Sequence, residues 1–272
     1  LAEDLASRVA LAIDNARLYQ RTQDAVRLRD EFLSIASHEL RTPVTSLQLA
    51  AQGMLRLASS TPIEQIPPVL MRTSLETAVR QASRMAKLID RLLDVSRIQS
   101  GRVELQLEQV ELAAVVREIA AQSRADLAQA DCDLRLVAPE PVTGLWDRAR
   151  LEQVVANLLS NAIKYGAGQP IEIEVRRDDQ LARLVVRDHG IGIPEEFRER
   201  IFERFERAVS ARHYSGLGLG LYIVDEVLKA LGGRVSVESA VGRGSCFTVE
   251  LPVTGPMAES APHAGQDEEG AA

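Results

Sequence analysis

The 272-residue sequence predicts an α+β protein in which an antiparallel two-helix hairpin is followed by an α/β sandwich. Apolar residues recur at helical spacing over roughly the first hundred residues, whereas strand-like alternation mixes with helical periodicity after them. The proline-rich run ASSTPIEQIPP separates two helical segments and predicts a turn. We therefore expect a helical linker at residues 1–23, the hairpin at 24–101, the sandwich at 102–254 and a disordered tail at 255–272.

Each helix of the predicted hairpin carries one apolar stripe. The first helix is expected to reach about Leu57, with Leu40 and Leu47 on its stripe. The second is expected over residues 69–100, and Gly101 would end it. A hairpin with exposed stripes cannot form a core alone, so pairing of two copies into a four-helix bundle is predicted. The chain is therefore expected to be a homodimer.

A reactive histidine is predicted in the first helix, within the run FLSIASHELRTP at Phe32–Pro43. At about 100° per residue, His38 faces away from the apolar stripe. A neutral imidazole can attack a phosphoryl group, the adjacent carboxylate of Glu39 can accept its proton, and the Thr42 hydroxyl one turn on can position a water. A solvated surface histidine would show the same spacing.

The sandwich is predicted from six strands and three helices, taken in order along the chain. The strands alternate in polarity and are Val103–Gln109, Asp133–Val137, Ile171–Arg177, Leu181–Val186, Arg234–Ser239 and Ser245–Leu251. The helices follow the 3.6-residue period and are Leu112–Ala128, Arg148–Tyr165 and Leu219–Leu231. Because the strands neighbour mainly other strands, the helices are expected to cover one face of a sheet.

Two segments of the sandwich suit the metal and the base of a nucleotide. Asn157 and Asn161 lie four residues apart on one helix face, and an amide oxygen suits magnesium, for which Asn161 is the predicted ligand. In the run DHGIG, the Asp188 carboxylate can accept a hydrogen bond from the adenine amine, while Gly190 and Gly192 let the backbone approach the ring. Taken separately, these motifs also fit surface asparagines and an ordinary turn.

Two further segments suit the phosphates and a lid over them. The run IFERF ends at Phe205 and places aromatic rings where they could pin one end of a lid, although ordinary helix packing explains them equally well. The run GLGLGL opens a predicted helix, where free N–H groups and the positive end of the helix dipole favour phosphate. Its predicted contact residues are Gly216, Leu217, Gly218, Leu219 and Gly220. A lone glycine run also occurs without any ligand.

The order of these motifs resembles one family. The asparagine helix, the DxGxG turn, the phenylalanine segment and GLGLGL resemble the N box, first glycine box, F box and second glycine box of the histidine-kinase ATP-binding domain, whose fold is shared with gyrase and an ATP-driven heat-shock chaperone. The dodecapeptide around His38 resembles the family's phosphoacceptor box. The chain is identified as a member of the sensor histidine kinases of two-component systems over Arg29–Val253. Residues 1–23 also resemble the last helix of a GAF-type sensory domain.

The resemblance implies ATP and Mg²⁺ as cofactors and assigns a role to each motif. His38 would be the phosphoacceptor, Glu39 its proton acceptor, Asn161 the magnesium ligand and Asp188 the adenine reader. Lys164 and Tyr165 end the asparagine helix in the family's usual way, near the phosphates.

Asn157 and two departures from the family pattern bear on the reaction. Asn157 stands where the ATPases of this fold carry a catalytic glutamate, and an amide cannot activate water at neutral pH, which favours phosphoryl transfer over hydrolysis. His189 replaces the more usual asparagine or threonine, and Ser215 replaces a usual glycine before GLGLGL. Neither departure removes a group assigned to the chemistry.

The predicted function is an ATP-dependent protein-histidine kinase that passes the phosphoryl group to an aspartate of a response regulator. The order His-Glu-Leu-Arg-Thr also resembles that of family members that dephosphorylate the regulator, a second activity that would depend on Thr42. The rival hypotheses are a non-catalytic dimeric signalling scaffold of the same fold and a chaperone-like ATPase. The latter is disfavoured by Asn157 and by the histidine hairpin.

Composition excludes several other classes. With 32 basic and 39 acidic residues the formal charge is −7, which argues against a nucleic-acid partner. Cys132 and Cys246 lie far apart without metal-type spacing, as is typical of a reducing compartment. No apolar run approaches the roughly 20 residues that span a bilayer. We therefore expect a cytoplasmic fragment, with a membrane anchor only in unseen upstream segments.

Overall fold

The computed structural model describes residues 2–60, 62, 65–99, 105–206, 208 and 217–256. These residues form two compact units, one drawn from residues 1–101 and 211–219 and the other from residues 102–210 and 220–272. We call them the helical unit and the α/β unit. The predicted tail beyond residue 256 and the predicted helix end at Gly101 lie outside the described residues.

The helical unit is built on two long helices that pack against each other, α1 (Ala2–Ser60) and α2 (Pro68–Gln99). α1 is one continuous helix through Pro43 and through most of the linker predicted at residues 1–23. The buried side chains of the hairpin include Ala36, Pro43, Ile66, Leu88 and Val95. Ser34, Arg41, Thr42 and Thr45 share the side of α1 that helical spacing assigns to His38, and these four side chains are exposed.

Many large apolar side chains of the helical unit are exposed. They include Leu49, Leu55, Val69, Leu75, Val79, Ile89 and Leu93. Of the residues expected on the apolar stripe of α2, Val95 is buried and Ile89 is exposed, and the neighbouring Leu88 is buried as well. α2 has apolar residues on two sides, and only one of them packs on α1. The second apolar side has no counterpart among the described residues of one chain.

Seven strands and four α-helices make up the described part of the α/β unit. The strands are β1 (Leu107–Glu111), β2 (Leu134–Val137), β3 (Thr143–Asp147), β4 (Ile171–Asp178), β5 (Leu181–Asp188), β6 (Arg234–Ser239) and β7 (Ser245–Pro252). The helices are α3 (Leu112–Gln122), α4 (Arg124–Gln129), α5 (Arg148–Tyr165) and α6 (Gly220–Ala230). Two short 3₁₀ turns, Glu195–Phe197 and Arg200–Phe202, lie between β5 and α6.

The main sheet is mixed and has the order β2-β4-β5-β7-β6. β2 pairs with β4 in parallel, and all other neighbours are antiparallel. β7 buries every second residue, from Ser245 to Leu251, and β5 alternates in the same way. α5 packs on β5 and α6 on β6, so these two helices lie on the buried face of the sheet. β1 and β3 form a separate antiparallel pair.

Several local predictions in the α/β unit were wrong, and the strand predicted over Val103–Gln109 is β1 at Leu107–Glu111. β3 was missed, because Gly144 and the fully buried Trp146 interrupt strand alternation; a Cβ at Gly144 would lie 2.4 Å from the Trp146 ring. The helix predicted over residues 112–128 is divided at Ser123, whose hydroxyl and N–H both donate to the Ile119 carbonyl, at 2.9 and 3.0 Å. α6 begins at Gly220, one residue after the predicted start.

None of the helices in the described ranges is both long enough and apolar enough to cross a membrane.

Candidate active site

α5 is the element that carries the two carboxamides. Asp147 caps it, because its Oδ1 accepts a hydrogen bond from the N–H of Arg150 at 3.0 Å. The Oδ2 of Asp147 accepts a hydrogen bond from the N–H of Gln106 at 2.9 Å. The same carboxylate therefore also holds the residue that precedes β1. Asn157 and Asn161 are half-buried and lie beside the apolar face of α5, which buries Leu151, Val154, Val155, Leu158, Leu159 and Ala162.

Asp188 ends β5 in a buried position, with 5% of its surface exposed. Its Oδ1 accepts a hydrogen bond from the N–H of Gly190 at 2.9 Å. Burial raises the pKa of Asp188 above its ordinary value, while hydrogen bonds from Gly190 and Ser245 and the nearby His189 act in the opposite direction. The loop therefore holds one carboxylate in a fixed orientation within a largely apolar setting.

The glycines of the DHGIG loop allow close backbone packing. A Cβ at Gly190 would lie 2.0 Å from the carbonyl oxygen of Tyr165, and Ile191 N–H donates to that oxygen at 3.2 Å. Gly192 has φ +68°, and a Cβ there would lie 1.9 Å from the carbonyl oxygen of Ala240. The loop is thus fixed between the end of α5 and the β6–β7 hairpin.

The start of α6 reaches the same region. A Cβ at Gly220 would lie 3.3 Å from Oδ1 of Asn157. The first turn of a helix has free N–H groups and the positive end of the helix dipole. The structure therefore brings three predicted motifs together in the α/β unit: the asparagine helix, the DHGIG loop and the last glycine of GLGLGL.

The side chains at the end of α5 contact each other. Lys164 Nζ donates to the hydroxyl of Tyr165 at 2.9 Å and lies 4.6 Å from the centre of its ring. Both side chains are half-buried. A cation is thereby held at the end of α5 next to the DHGIG loop, since that loop bonds to the carbonyl of Tyr165.

The residues of GLGLGL that precede Gly220 are grouped differently from Gly220. Leu217 and Leu219 are buried and Gly218 has φ +68°, but these residues group with the helical unit and not with the α/β unit. Gly216 lies outside the described residues. Gly220 is the residue of this predicted set whose approach to the asparagine helix the structure gives.

The IFERF segment has an unusual backbone at its end. Phe205 has φ +64°, a left-handed conformation that costs a bulky residue about 1–3 kcal/mol. The guanidinium carbon of Arg204 lies 4.8 Å from the centre of the Tyr222 ring on α6. Arg200 forms an ion pair with Glu206, the residue after Phe205.

The phosphoacceptor motif lies in the helical unit. His38 falls within α1, but its side chain is outside the part of the chain that the structure describes. Glu39 is half-buried and Thr42 is exposed. The helical conformation places Glu39 next to His38 and Thr42 one turn later, as the spacing requires.

Three residues of the β6–β7 hairpin support the loop of Asp188 and were missed by sequence reasoning. The hydroxyl of Ser239 accepts from Ile193 N–H at 2.8 Å and lies 3.1 Å from that of Ser245, the hydrogen-bond partner of Asp188. A Cβ at Gly244 would lie 2.0 Å from the Asp188 carbonyl oxygen. The two glycines in the run VGRGS were the only local sign of this close approach.

The donor set suits a magnesium ion that is held mainly by a nucleotide. Among the described residues, no group of three or more His, Cys, Asp or Glu side chains could hold a metal. Mg²⁺ commonly keeps several waters and takes one or two protein oxygens plus substrate phosphates. The half-buried residues Asn157 and Asn161 on α5 offer two amide oxygens, and that of Asn157 lies beside the start of α6, which matches this requirement.

Comparison with known proteins agrees with the motif order. Residues 28–101 match the His Kinase A (phospho-acceptor) domain, and residues 146–255 match the histidine kinase-, DNA gyrase B- and HSP90-like ATPase family. Together these two matches cover more than half of the chain. The chain belongs to the sensor histidine kinases.

Individual sensor histidine kinases are similar over most of the chain. The sensor-like histidine kinase SenX3 of Mycobacterium tuberculosis is 35% identical over 227 residues, which are 82% of this chain and 54% of SenX3. The alginate biosynthesis sensor protein KinB of Pseudomonas aeruginosa is 37% identical over 232 residues, 84% of this chain and 37% of KinB. The chain thus spans about half or less of these curated relatives.

Solved structures of the family share the fold. The histidine kinase AdeS of Acinetobacter baumannii aligns with a TM-score of 0.61 at 27% identity, over 79% of this chain and 98% of that one. Full-length ShkA in complex with AMPPNP aligns with a TM-score of 0.60 at 27% identity, over 84% of this chain and 47% of ShkA. A helical His Kinase A region followed by an α/β ATPase-type domain is therefore the fold of this histidine kinase.

Proposed function

We propose that this chain is an ATP-dependent protein-histidine kinase that phosphorylates its own His38 and passes the phosphoryl group to an aspartate of a response regulator. The observation that carries the proposal is the convergence of Asn157, the DHGIG loop and the start of α6 at Gly220. Amide oxygens, a buried carboxylate and free helix N–H groups match the metal, the base and the phosphates of one nucleotide. The structure of the relative ShkA in complex with AMPPNP supports a nucleotide ligand for a protein of this fold.

Each residue of the cluster has a proposed part in holding ATP. Asp188 accepts a hydrogen bond from the adenine amine, and Gly190 and Gly192 leave room for the ring. Lys164 and Tyr165 act near the phosphates, together with the N–H groups around Gly220. Mg²⁺ held by Asn161, with Asn157 beside it, would reduce the charge repulsion that the phosphates present to a nucleophile.

The transfer step conserves atoms and charge. The unprotonated ring nitrogen of His38 attacks the γ-phosphorus, the bond from that phosphorus to the bridging oxygen breaks, and ADP leaves with the electron pair. The proton on the other ring nitrogen passes to Glu39. Phosphohistidine then donates the phosphoryl group to a regulator aspartate.

The proposed active form is a homodimer. The exposed apolar side of α2, with Leu75 and Val79, is the surface that a second hairpin would cover. The assignment of residues 1–23 to the end of a GAF-type domain remains a prediction.

The test of the kinase is radiolabelling with γ-labelled ATP and Mg²⁺. The parent chain should acquire an acid-labile, base-stable label, and His38→Gln should acquire none. Ser34→Ala, which changes an exposed residue one turn earlier on α1, is the matched control and should label normally. Undiminished label in His38→Gln would overturn the site assignment.

A regulator phosphatase activity is also proposed, and it depends on Thr42. The exposed Thr42 hydroxyl would position the water that attacks the aspartyl phosphate. Thr42→Ala should therefore clear regulator phosphate at least tenfold more slowly than the parent, with autophosphorylation retained. Thr45→Ala is a control, because it removes the hydroxyl of another exposed threonine in the next turn of the same helix. Equal clearance by the Thr42→Ala variant would contradict the proposal.

The alternative is a dimeric scaffold of the same fold that binds a regulator without turning over ATP. The retained Asn161, Asp188 and glycines favour the enzyme. Titration calorimetry with ATP, with and without Mg²⁺, separates the two: the kinase should bind ATP in a magnesium-dependent manner, and Asn161→Leu should lose that dependence. A parent chain that binds no nucleotide would be the scaffold.

A subunit-mixing experiment tests the homodimer and the direction of transfer. An Asn161→Leu chain lacks the proposed metal ligand, and a His38→Gln chain lacks the acceptor. Label on the Asn161→Leu chain of a mixed dimer would show transfer between chains. The absence of label on both chains at every mixing ratio would show transfer within one chain.

A further inference from the structure

We infer that Arg204 and Tyr222 are positioning residues that set the backbone of Phe205 at the nucleotide site, an inference that rests on the proposed kinase function. Both residues lie in the α/β unit, Arg204 before Phe205 in sequence and Tyr222 in the first turn of α6. Neither residue is assigned to the chemistry above.

The starting observation is the conformation of Phe205. A φ of +64° is uncommon for any residue with a side chain and is least expected for a bulky one. Such a conformation persists only when neighbouring contacts determine it, and it is found preferentially at ligand-binding and catalytic sites. The residues on both sides of Phe205 must therefore be held in place.

Arg204 supplies the contact on the N-terminal side. Its guanidinium carbon lies 4.8 Å from the centre of the Tyr222 ring, a separation that is typical of a cation–π interaction. Tyr222 is itself only 7% exposed, so its ring is a fixed platform for a half-buried arginine. A cation near the positive end of a helix is electrostatically unfavourable, so the ring contact must offset that effect.

Glu206 supplies the contact on the C-terminal side. It forms an ion pair with Arg200, whose guanidinium carbon also lies 5.6 Å from the centre of the Phe197 ring. The neighbouring Ile201 is buried in the core of the unit. The segment is therefore anchored before and after Phe205, and the strained residue lies between the two anchors.

The Tyr222 anchor connects Phe205 to the nucleotide site. Tyr222 is two residues after Gly220, and a Cβ at Gly220 would lie 3.3 Å from Oδ1 of Asn157. The turn of α6 that approaches the asparagine helix is thus the turn that holds Arg204. Loss of the Arg204–Tyr222 contact should weaken ATP binding and leave the rate at saturating ATP nearly unchanged.

The experiment measures autophosphorylation of the full chain against ATP concentration, with melting temperature recorded for each variant. Tyr222→Leu and Arg204→Met should each raise the KM for ATP about tenfold, with the maximal rate within twofold of the parent. Tyr222→Phe retains the ring face and should behave as the parent. The double variant should raise KM no more than either single change, because both remove the same contact.

Two substitutions at Phe205 separate the backbone from the ring. Phe205→Gly and Phe205→Ala both remove the ring, but only glycine adopts the left-handed conformation without strain. If the backbone conformation matters, the alanine variant should bind a fluorescent ATP analogue several-fold more weakly than the glycine variant. Equal affinities would overturn this part of the inference.

The outcomes distinguish this inference from the proposed function. A parent chain that acquires no acid-labile label contradicts the kinase proposal. If the parent labels normally, an unchanged KM in the Arg204→Met variant contradicts only the positioning role. Additive increases of the KM for ATP in the double variant would also contradict only the positioning role. A fall in melting temperature with KM unchanged would assign Arg204 and Tyr222 a purely structural part.

Discussion

The two units of the chain bury their apolar side chains to different extents. In the helical unit, Leu75 and Val79 of α2 are 62% and 66% exposed. In the α/β unit, Trp146 and Leu158 are fully buried, and α5 and α6 cover one face of the main sheet. A two-helix hairpin has too little surface to enclose both sides of its helices, whereas a sheet with helices on one face encloses a complete core. We therefore expect the helical unit to depend on a partner and the α/β unit to be stable alone.

The most sensitive test of this comparison places charges on the apolar side of α2. Leu75→Glu combined with Val79→Glu should weaken self-association by at least about a hundredfold, because the charges would be buried without partners. Light scattering after gel filtration should then show a monomer.

The matched control lies in the other unit. Val241, between β6 and β7, is 69% exposed, and Val241→Glu should leave the molecular mass unchanged. A dimer that survives both charges on α2 would mean that the exposed apolar side is not the contact.

The second test compares truncations in the two cores. Leu158→Ala in α5 should lower the free energy of unfolding of the α/β unit by about 2–5 kcal/mol at any protein concentration. Leu75→Ala should have an effect that depends on protein concentration, because a partner chain supplies its buried surroundings. Chemical denaturation at two concentrations a hundredfold apart provides the measurement. A concentration-independent effect of Leu75→Ala would contradict the comparison.

A smaller loss of stability is expected from substitutions at the N-terminal ends of α5 and α2. α5 is capped by Asp147, whereas α2 begins at Pro68 and has no acidic residue in its first turn. Asp147→Ala should cost about 0.5–2 kcal/mol, or more because Gln106 also loses its acceptor. Asp147→Asn keeps one oxygen as acceptor and should cost less. Pro68→Ala should have little effect on thermal unfolding, and equal losses at the two helix starts would contradict this difference.

The smallest effects are two pH dependences in the α/β unit, and the first is that of Asp188. Burial raises its pKa, so the folded state binds its proton more readily than the unfolded chain does. Its contribution to stability is therefore largest below the unfolded pKa and is lost as pH rises through the folded pKa. Asp188→Asn should remove this loss while weakening ATP binding. Urea titrations at pH values between the unfolded and the folded pKa of Asp188 should show that the variant gains stability relative to the parent as pH rises.

Glu250 in β7 should show the opposite sign. The side-chain hydrogen bond from Arg234, supported by Arg183 at 2.8 Å, lowers the pKa of Glu250. Its contribution is present above the unfolded pKa and is lost as pH falls through the folded pKa. Glu250→Gln should thus be less stable than the parent at neutral pH and equal to it in acid. A deficit that persists in acid would point to packing and not to charge.

Local signals explain which elements the sequence predicts well. The bounds of α5 were predicted at both ends, because Asp147 caps its start, an apolar stripe runs along it and Gly166 follows its end. β6 was predicted with the same bounds as the structure has. β3 was missed because Gly144 and the buried Trp146 interrupt strand alternation, and the Trp146 ring N–H donates to the carbonyl of Pro252 at 2.8 Å, a partner 106 residues away.

The sequence by itself determined the order of elements, the family and the chemical type of each proposed site residue, because these depend on spacing along one chain. Only the tertiary structure decided which motifs meet. It placed Gly220 beside Asn157 and placed Gly190 against the carbonyl of Tyr165. It also supplied Ser245 as a partner of Asp188 through the pairing of β5 and β7. Such contacts join residues far apart in sequence, and they follow from packing that no local pattern encodes.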